Sequence, residues 1–404
     1  MSANNQLFWT KSNQLVFPYE GNGWTNLWSI EAKGGTAKNL TPGNFEVQFV
    51  NLSADHQHLL YSSNQGDIDR QHIWKVNAKN GNPRRLTNSG EIQWSPVELA
   101  NGQVLCLASS GTMPAQVVEV FSKGVESIIP QQLLQAFPSQ QLVEPEQIIF
   151  SAADGMPIHG QLFKPANMDA NKKYPAILFF HGGSRRQMLL GFHHRGYYHN
   201  AYALNQYLAN QGFIVLSVNY RSGIGYGMEF REALNYGARG ASEYLDVMGA
   251  GLYLRSRAEV NGDKIGLWGG SYGGYLTAMG LAKSSDLFAA GVDIHGVHDW
   301  NVVIRNFVPA YQAEKRQAFA DLAYQSSPMP YVKDWKSPVL LIHGDDDRNV
   351  PFSETVDLVE ALRKHDVYFE QLIFPDEVHG FLLHKNWVAA YEATADFFKR
   401  MLKE

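Results

Sequence analysis

Cysteine is almost absent from this sequence: Cys106 is the single one among 404 residues. An internal disulfide is therefore excluded, and so sparing a use of thiols agrees with a reducing compartment. Cys106 itself, within the apolar run Val104–Ala108, reads as a small buried hydrophobe in a strand. Long apolar runs are missing too. No stretch approaches the roughly 18 residues of a membrane-crossing helix. Met1–Thr10 have neither the basic start nor the apolar centre of a secretion signal. Charge of one sign is also scarce: 34 Lys and Arg stand against 39 Asp and Glu, a net −5, with no basic cluster. Nucleic acid and anionic membrane are therefore not expected as partners. Together these absences predict a cytoplasmic location.

What is present is globular in composition, 45% hydrophobic and 18% charged, in a chain long enough for two domains. Residues 1–126 contain a repeat. Leu27-Trp28-Ser29-Ile30, Gly35 and Leu40-Thr41 return as Ile73-Trp74-Lys75-Val76, Gly81 and Leu86-Thr87. A third, decayed copy holds Val104–Ala108 and Gln116–Val120. Short strands and turns at a period of about 40–45 residues mark β-propeller blades, so this region predicts a partial propeller of two to three blades. Residues 127–146, with Pro130, Pro138 and Pro145, read as a linker.

From residue 147 to 404 the pattern changes. Short two-sided apolar runs, Ala176–Phe180, Ile214–Val218, Ile265–Trp268, Gly291–Ile294, Val339–Ile342 and Phe369–Phe374, alternate with helical stretches such as Tyr244–Leu254 and Trp387–Leu402. This predicts an α/β fold with a mostly parallel sheet covered on both faces.

The chemistry gathers at three strand ends. Gly269-Gly270-Ser271-Tyr272-Gly273 is a Gly-x-Ser-x-Gly turn between a strand and a helix. Such a turn lifts the Ser271 hydroxyl out of the sheet, and the N–H of Tyr272, next in the chain, is aimed at a developing oxyanion. Further on come an acidic loop, Asp345-Asp346-Asp347, and then His379 in Glu377-Val378-His379-Gly380. Serine, then acid, then histidine is the chain order of α/β-hydrolases, and it predicts a nucleophile–base–acid triad. Metal readings are weaker. Three consecutive carboxylates cannot all face one ion, and His193, His194 and His199 lack the i, i+4 pair of a helical zinc site. Neither a metal nor a cofactor is expected.

With those residues in place, the chain resembles the prolyl oligopeptidase family of serine peptidases, of dipeptidyl- or acylaminoacyl-peptidase type. The resemblance rests on Phe180-His181-Gly182-Gly183, the run Val218–Gly227, Gly269–Gly274, His343–Pro351 and Glu377–Gly380. It implies an α/β-hydrolase domain preceded by a propeller, and catalysis by Ser271, Asp347 and His379 through an acyl-enzyme. In that family the acid lies four residues after the strand-end histidine, here His343, which selects Asp347. The resemblance also implies a second oxyanion donor in the Gly183 N–H, although other relatives place a tyrosine at the position of His181. It implies a substrate-carbonyl contact at Asn349 and an apolar specificity pocket from Tyr272, Val297, Trp300 and Val350. Val303 stands where a relative carries a pocket tyrosine, so a strict demand for proline is not expected.

Short peptides are the expected substrates. A carboxylesterase of the same fold is one alternative, and a non-catalytic propeller binding module is another. So few blades cannot close a ring. The open blade faces therefore predict either a homo-oligomer or a chain that is a piece of a longer protein.

Overall fold

A computed structural model describes residues 6–87, 90–121 and 124–403, so the first half of the Met1–Thr10 stretch lies outside it. The chain divides into two compact units. The first comprises Met1–Pro145 with Leu189–Ala203 and Ile224–Arg231; the second comprises Glu146–Met188, Leu204–Gly223 and Glu232–Glu404.

The first unit contains three four-stranded antiparallel sheets. They are β1–β4 (Phe8–Trp9, Gln14–Tyr19, Asn26–Glu31, Lys38–Asn39), β5–β8 (Val47–Leu52, His58–Ser63, His72–Asn77, Gly81–Arg85) and β9–β12 (Ile92–Glu98, Val104–Ser109, Gln116–Phe121, Gly124–Ser127). The sequence repeat has a hydrogen-bonding cause. Thr41 Oγ1 accepts from the Leu27 N–H at 2.8 Å, and Thr87 Oγ1 accepts from the Ile73 N–H at 2.9 Å. Each Leu-Thr thus stitches the fourth strand of its sheet to the third. Val16, Leu27, Leu40, Leu59 and Val76 pack in one cluster, and Leu60, Ile73, Val104, Cys106 and Val118 in the next. The stretch read as a linker forms a short helix, α1 (Gln131–Gln135).

The second unit is built on one eight-stranded sheet, in the order β13-β14-β16-β15-β17-β18-β19-β20. Its strands are β13 (Glu146–Ser151), β14 (Pro157–Phe163), β15 (Tyr174–Phe180), β16 (Ile214–Asn219), β17 (Val260–Gly270), β18 (Ala290–Ile294), β19 (Val339–Gly344) and β20 (Phe369–Phe374). β13 and β14 run antiparallel to their neighbours, and every pair from β16 to β20 is parallel. The helices of the chain after α1 are α2 (Gly196–Asn210), α3 (Met228–Arg231), α4 (Tyr244–Ser256), α5 (Tyr272–Lys283), α6 (Trp300–Phe307), α7 (Gln317–Gln325), α8 (Ser353–Lys364) and α9 (His384–Leu402).

Both sheet faces are covered, and β17 shows how. Successive strand residues point to opposite sides. A side chain at Gly266 would strike Phe398 and Leu402 of α9, whereas Leu267 on the other side packs against Gly280 of α5. All residues of β16, β18 and β19 are buried, which explains their unbroken apolar runs. Among the described residues no helix is long and apolar enough to cross a membrane.

Candidate active site

Ser271 lies between β17 and α5 with φ 59° and ψ −119°, a backbone conformation costly for any side-chain-bearing residue. The two flanking glycines make it possible. A Cβ on Gly273 would lie 1.9 Å from the Phe180 carbonyl oxygen, and one on Gly269 would lie 2.6 Å from the same atom. The turn therefore presses against the end of β15, where the His181-Gly182-Gly183 loop begins. The Ser271 N–H donates to Ile294 O at 2.9 Å, and its carbonyl starts α5 by accepting from the Tyr275 N–H.

Asp347 lies just past β19 and His379 past β20, the next strand in the sheet. His379 Nδ1 and Asp347 Oδ2 are 2.6 Å apart. An ionised carboxylate only accepts, so the proton is on Nδ1 and Nε2 is left as the basic nitrogen. Asp347 is fully engaged. Its Oδ1 accepts from the N–H groups of Asn349 (2.8 Å) and Val350 (3.0 Å), and its Oδ2 also faces His343 Nε2 at 3.2 Å. His343 Nε2 contacts Val350 O at 3.1 Å as well, so that nitrogen is the donor and Nδ1 accepts from Thr355 Oγ1 at 2.8 Å. Burial raises the affinity of Asp347 for a proton. The hydrogen bonds from His343 and His379 and the charge on His379 outweigh it, and hold the carboxyl below the ordinary carboxylate range. Asp345 and Asp346 are exposed; Asp346 pairs with Arg348, and Asp345 accepts from the Asp376 N–H.

The residues expected around the oxyanion and the substrate fall in the same unit. Gly183 has φ 87°. His181 is buried, stacks on Tyr220 at 4.3 Å between centroids, and takes a hydrogen bond on its carbonyl from the Tyr220 hydroxyl at 2.7 Å. Burial lowers its imidazole to about 3, so it is neutral near pH 7. Tyr220 in turn lies parallel to Tyr272, and Tyr272 meets Trp300 at 5.4 Å. Val297, Val303 and Val350 are buried, whereas Asn349 is exposed and its carbonyl, like that of Arg348, faces Asn306 Nδ2.

Several residues of this site carried no role in the sequence reading. Glu243, buried, accepts from the Tyr272 hydroxyl (2.5 Å), Ser222 Oγ (2.9 Å) and the Gly237 N–H (3.0 Å), and thus fixes the ring that follows Ser271. His298 Nε2 meets Asp293 Oδ2 at 2.7 Å while its Nδ1 meets the Glu354 carbonyl at 2.9 Å, an arrangement that braces the turn before Trp300. The His295 ring packs against that of His379 at a tilt, with centroids 4.3 Å apart. A sequence signal existed for it: β15, β18 and β19 each end at a His-Gly pair, as does the turn after β20, at His181, His295, His343 and His379.

His295, Asp347 and His379 each offer a ligand atom within 4.8 Å of the others, the grouping among the described residues that could hold an ion. Of these groups, His379 Nδ1 and Asp347 Oδ2 are already hydrogen-bonded to each other. His193, His194 and His199 lie in the first unit: His193 and His194 stack at 4.1 Å, His194 meets Phe49, and His199 meets Phe192.

The sequence profile described as "Prolyl oligopeptidase family" matches residues 200–404, and that of the "Dipeptidyl peptidase IV (DPP IV) N-terminal region" matches residues 2–114. Dipeptidyl-peptidase 5 of Porphyromonas gingivalis is 25% identical over 82% of this chain and 49% of its own length. Dipeptidyl aminopeptidase BIII of Pseudoxanthomonas mexicana is 30% identical over 65% of this chain and 39% of its own. The chain thus spans about half the length of the curated relatives it matches. In fold it is similar to a puromycin-hydrolyzing peptidase of Mycobacterium tuberculosis, with a TM-score of 0.82 at 22% identity over 98% of this chain and 62% of the other. The acylaminoacyl peptidase of Pyrococcus horikoshii gives 0.78 at 21% identity, over 97% and 62%.

Proposed function

This chain belongs to the prolyl oligopeptidase family, and from that premise we propose that it is a serine peptidase of short peptides, with Ser271 as nucleophile, His379 as general base and Asp347 as its acid partner. The observation that carries this reading is the 2.6 Å contact of His379 Nδ1 with Asp347. It occurs on strands of the same parallel sheet whose β17 ends in the strained Ser271 turn.

The chemistry follows from those atoms. Ser271 Oγ attacks the scissile carbonyl and passes its proton to His379 Nε2. Asp347 stabilises the imidazolium through Nδ1–H. The backbone N–H of Tyr272, with that of Gly183 as the second donor, takes the charge on the tetrahedral oxygen. Collapse expels the amine, which leaves with the proton from Nε2, and water enters by the same steps to free the acid. Tyr272, Val297, Trp300 and Val350 form an apolar wall for the side chain on the acyl side. Val303 leaves it less aromatic, which favours medium apolar or small residues and tolerates proline. Asn349 receives a substrate carbonyl.

Ser271→Ala tests the reading. It should abolish both peptide turnover and labelling by an active-site fluorophosphonate while leaving the thermal midpoint near that of the parent, since the serine supplies no core packing. Near-normal turnover in this variant would end the proposal. Profiling of a peptide library with free and blocked N-termini then assigns the acyl-side preference. Cleavage confined to proline, by more than about a thousandfold (about 4 kcal/mol), would contradict the pocket described, because small differences in apolar fit supply only about 1–3 kcal/mol.

A further inference from the structure

We propose that His295 is a positioning residue for the general base, holding the His379 ring in register with Asp347 while that ring carries the transferred proton. The proposal rests on the assignment of His379 as the base. Three observations carry it.

The first is contact. The His295 ring lies 4.3 Å from that of His379, tilted by 37°, and 5.6 Å from Phe381, which lies two residues past His379. An imidazole gripped only by a hydrogen bond at Nδ1 can still swing about its Cβ–Cγ bond; a ring packed on its face blocks that motion.

The second is anchoring. His295 is buried and follows β18, which lies between the nucleophile strand β17 and the acid strand β19. Its N–H donates to Ile342 O at 2.8 Å, next to His343, and the preceding carbonyl, that of Ile294, accepts from the Ser271 N–H at 2.9 Å. One peptide unit thus links the nucleophile turn, the stacking ring and the strand that carries the acid. His295 holds this place at φ 43°, in the left-handed region that side chains seldom occupy. Strain of this kind persists where the surroundings over-determine it.

The third is charge. His295 must not compete for the proton. Burial, and then repulsion from His379 and His343, keep it well below the usual imidazole range, so it stays neutral as His379 is charged. A neutral aromatic face against an imidazolium excludes water without adding a like charge.

The test uses two substitutions. His295→Asn suits a positive φ but removes the stacking ring. His295→Phe keeps a ring and removes the nitrogens, and phenylalanine is tolerated at positive φ elsewhere in this fold, as at Phe49 with φ 48°. With a saturable aminoacyl-anilide substrate, His295→Asn should lose kcat by about 10–100-fold, the range of a misplaced catalytic group, with KM within about threefold and fluorophosphonate labelling slowed in parallel. His295→Phe should recover most of that loss. If His295→Asn folds and keeps kcat within about twofold, or if its loss appears in KM alone, the proposal is overturned. Failure of His295→Phe to recover any kcat, in a variant whose thermal midpoint matches the parent, overturns it too. Ser271→Ala separates the two levels: if it still turns over peptide, the base assignment itself has failed, whatever His295 does.

Discussion

Replacing Asp347 by asparagine alters one atom of the side chain and almost none of its shape. Each oxygen of Asp347 has its own task. Oδ1 accepts two backbone N–H groups, from Asn349 and Val350, and Oδ2 accepts from His379 Nδ1 and faces His343 Nε2. The backbone donors cannot change, so the amide oxygen must stay with them and the NH2 group must turn toward the two imidazoles. His343 loses little, because its Nε2–H still reaches Val350 O. His379 cannot remain as it is. Two donors would meet at 2.6 Å, so the proton moves to Nε2 and Nδ1 becomes the acceptor. In that tautomer Nε2 has no lone pair for the Ser271 proton. The same exchange in a chymotrypsin-type triad lowers kcat about 10⁴-fold, or about 5.4 kcal/mol of barrier, and we expect a loss of that order here. Steady-state kcat on an aminoacyl anilide measures it, with thermal unfolding as the control for folding. Asp345→Asn and Asp346→Asn change only exposed carboxylates and should stay within about threefold of the parent. If Asp347→Asn kept a tenth of the parent rate, or if all three variants lost equally, the acid would have been misassigned.

Two further outcomes follow from the packing and charges around the site. Gly273→Ala would place a methyl group 1.9 Å from the Phe180 carbonyl oxygen; it should destabilise the second unit by about 2–4 kcal/mol and abolish fluorophosphonate labelling, and a denaturation midpoint and labelling rate equal to the parent's would refute the account of the turn. Stability should also fall as pH rises through neutrality. Burial pushes Glu354 up to about 7, and His298 is raised because the charges of Asp293 and Glu354 outweigh its own burial. Both groups bind protons more tightly folded than unfolded, so each contribution is full below the group's unfolded value and is lost as pH rises: for Glu354 between its ordinary 4.5 and about 7, and for His298 above the ordinary imidazole range. Urea midpoints between about pH 5 and 9 should show this decline, and Glu354→Gln should flatten it; an unchanged slope in that variant would refute the assignment to Glu354.

The inner parallel strands β16, β18 and β19 were legible in the sequence because each is buried on both faces, which leaves a short unbroken apolar run; β20, at the edge, is half-buried and carries Glu370 and Gln371. Phe369–Phe374 agrees with β20 end for end, and Ile214–Val218 with β16 to within one residue. The repeat was legible because Thr41 and Thr87 perform the same bond in two sheets. β13 and β14 leave no such trace: they form an antiparallel hairpin at the edge, and their mixed polarity, with Ile149 exposed, lacks that signature. The glycine-flanked turns at Ser271 and His379 were legible in the sequence, whereas the pairing of Asp347 with His379 was expected only from the family spacing. His295, Glu243 and His298 were passed over for a physical reason. Their roles arise from which strands lie side by side, and strand order is not written in local periodicity.

The strand order also sets when the site can exist. Ser271 follows β17, but His379, the proposed base, follows β20, which is an edge of the sheet and the last of the described strands. During synthesis at roughly 5–20 residues per second, the nucleophile turn emerges several seconds before His379 does. Until β20 pairs with β19, the proposed nucleophile Ser271 has no base beside it and Asp347 lacks the His379 imidazole. On the proposed assignment, the triad is complete only once β20 has docked, so the fold couples the site's assembly to its outermost strand.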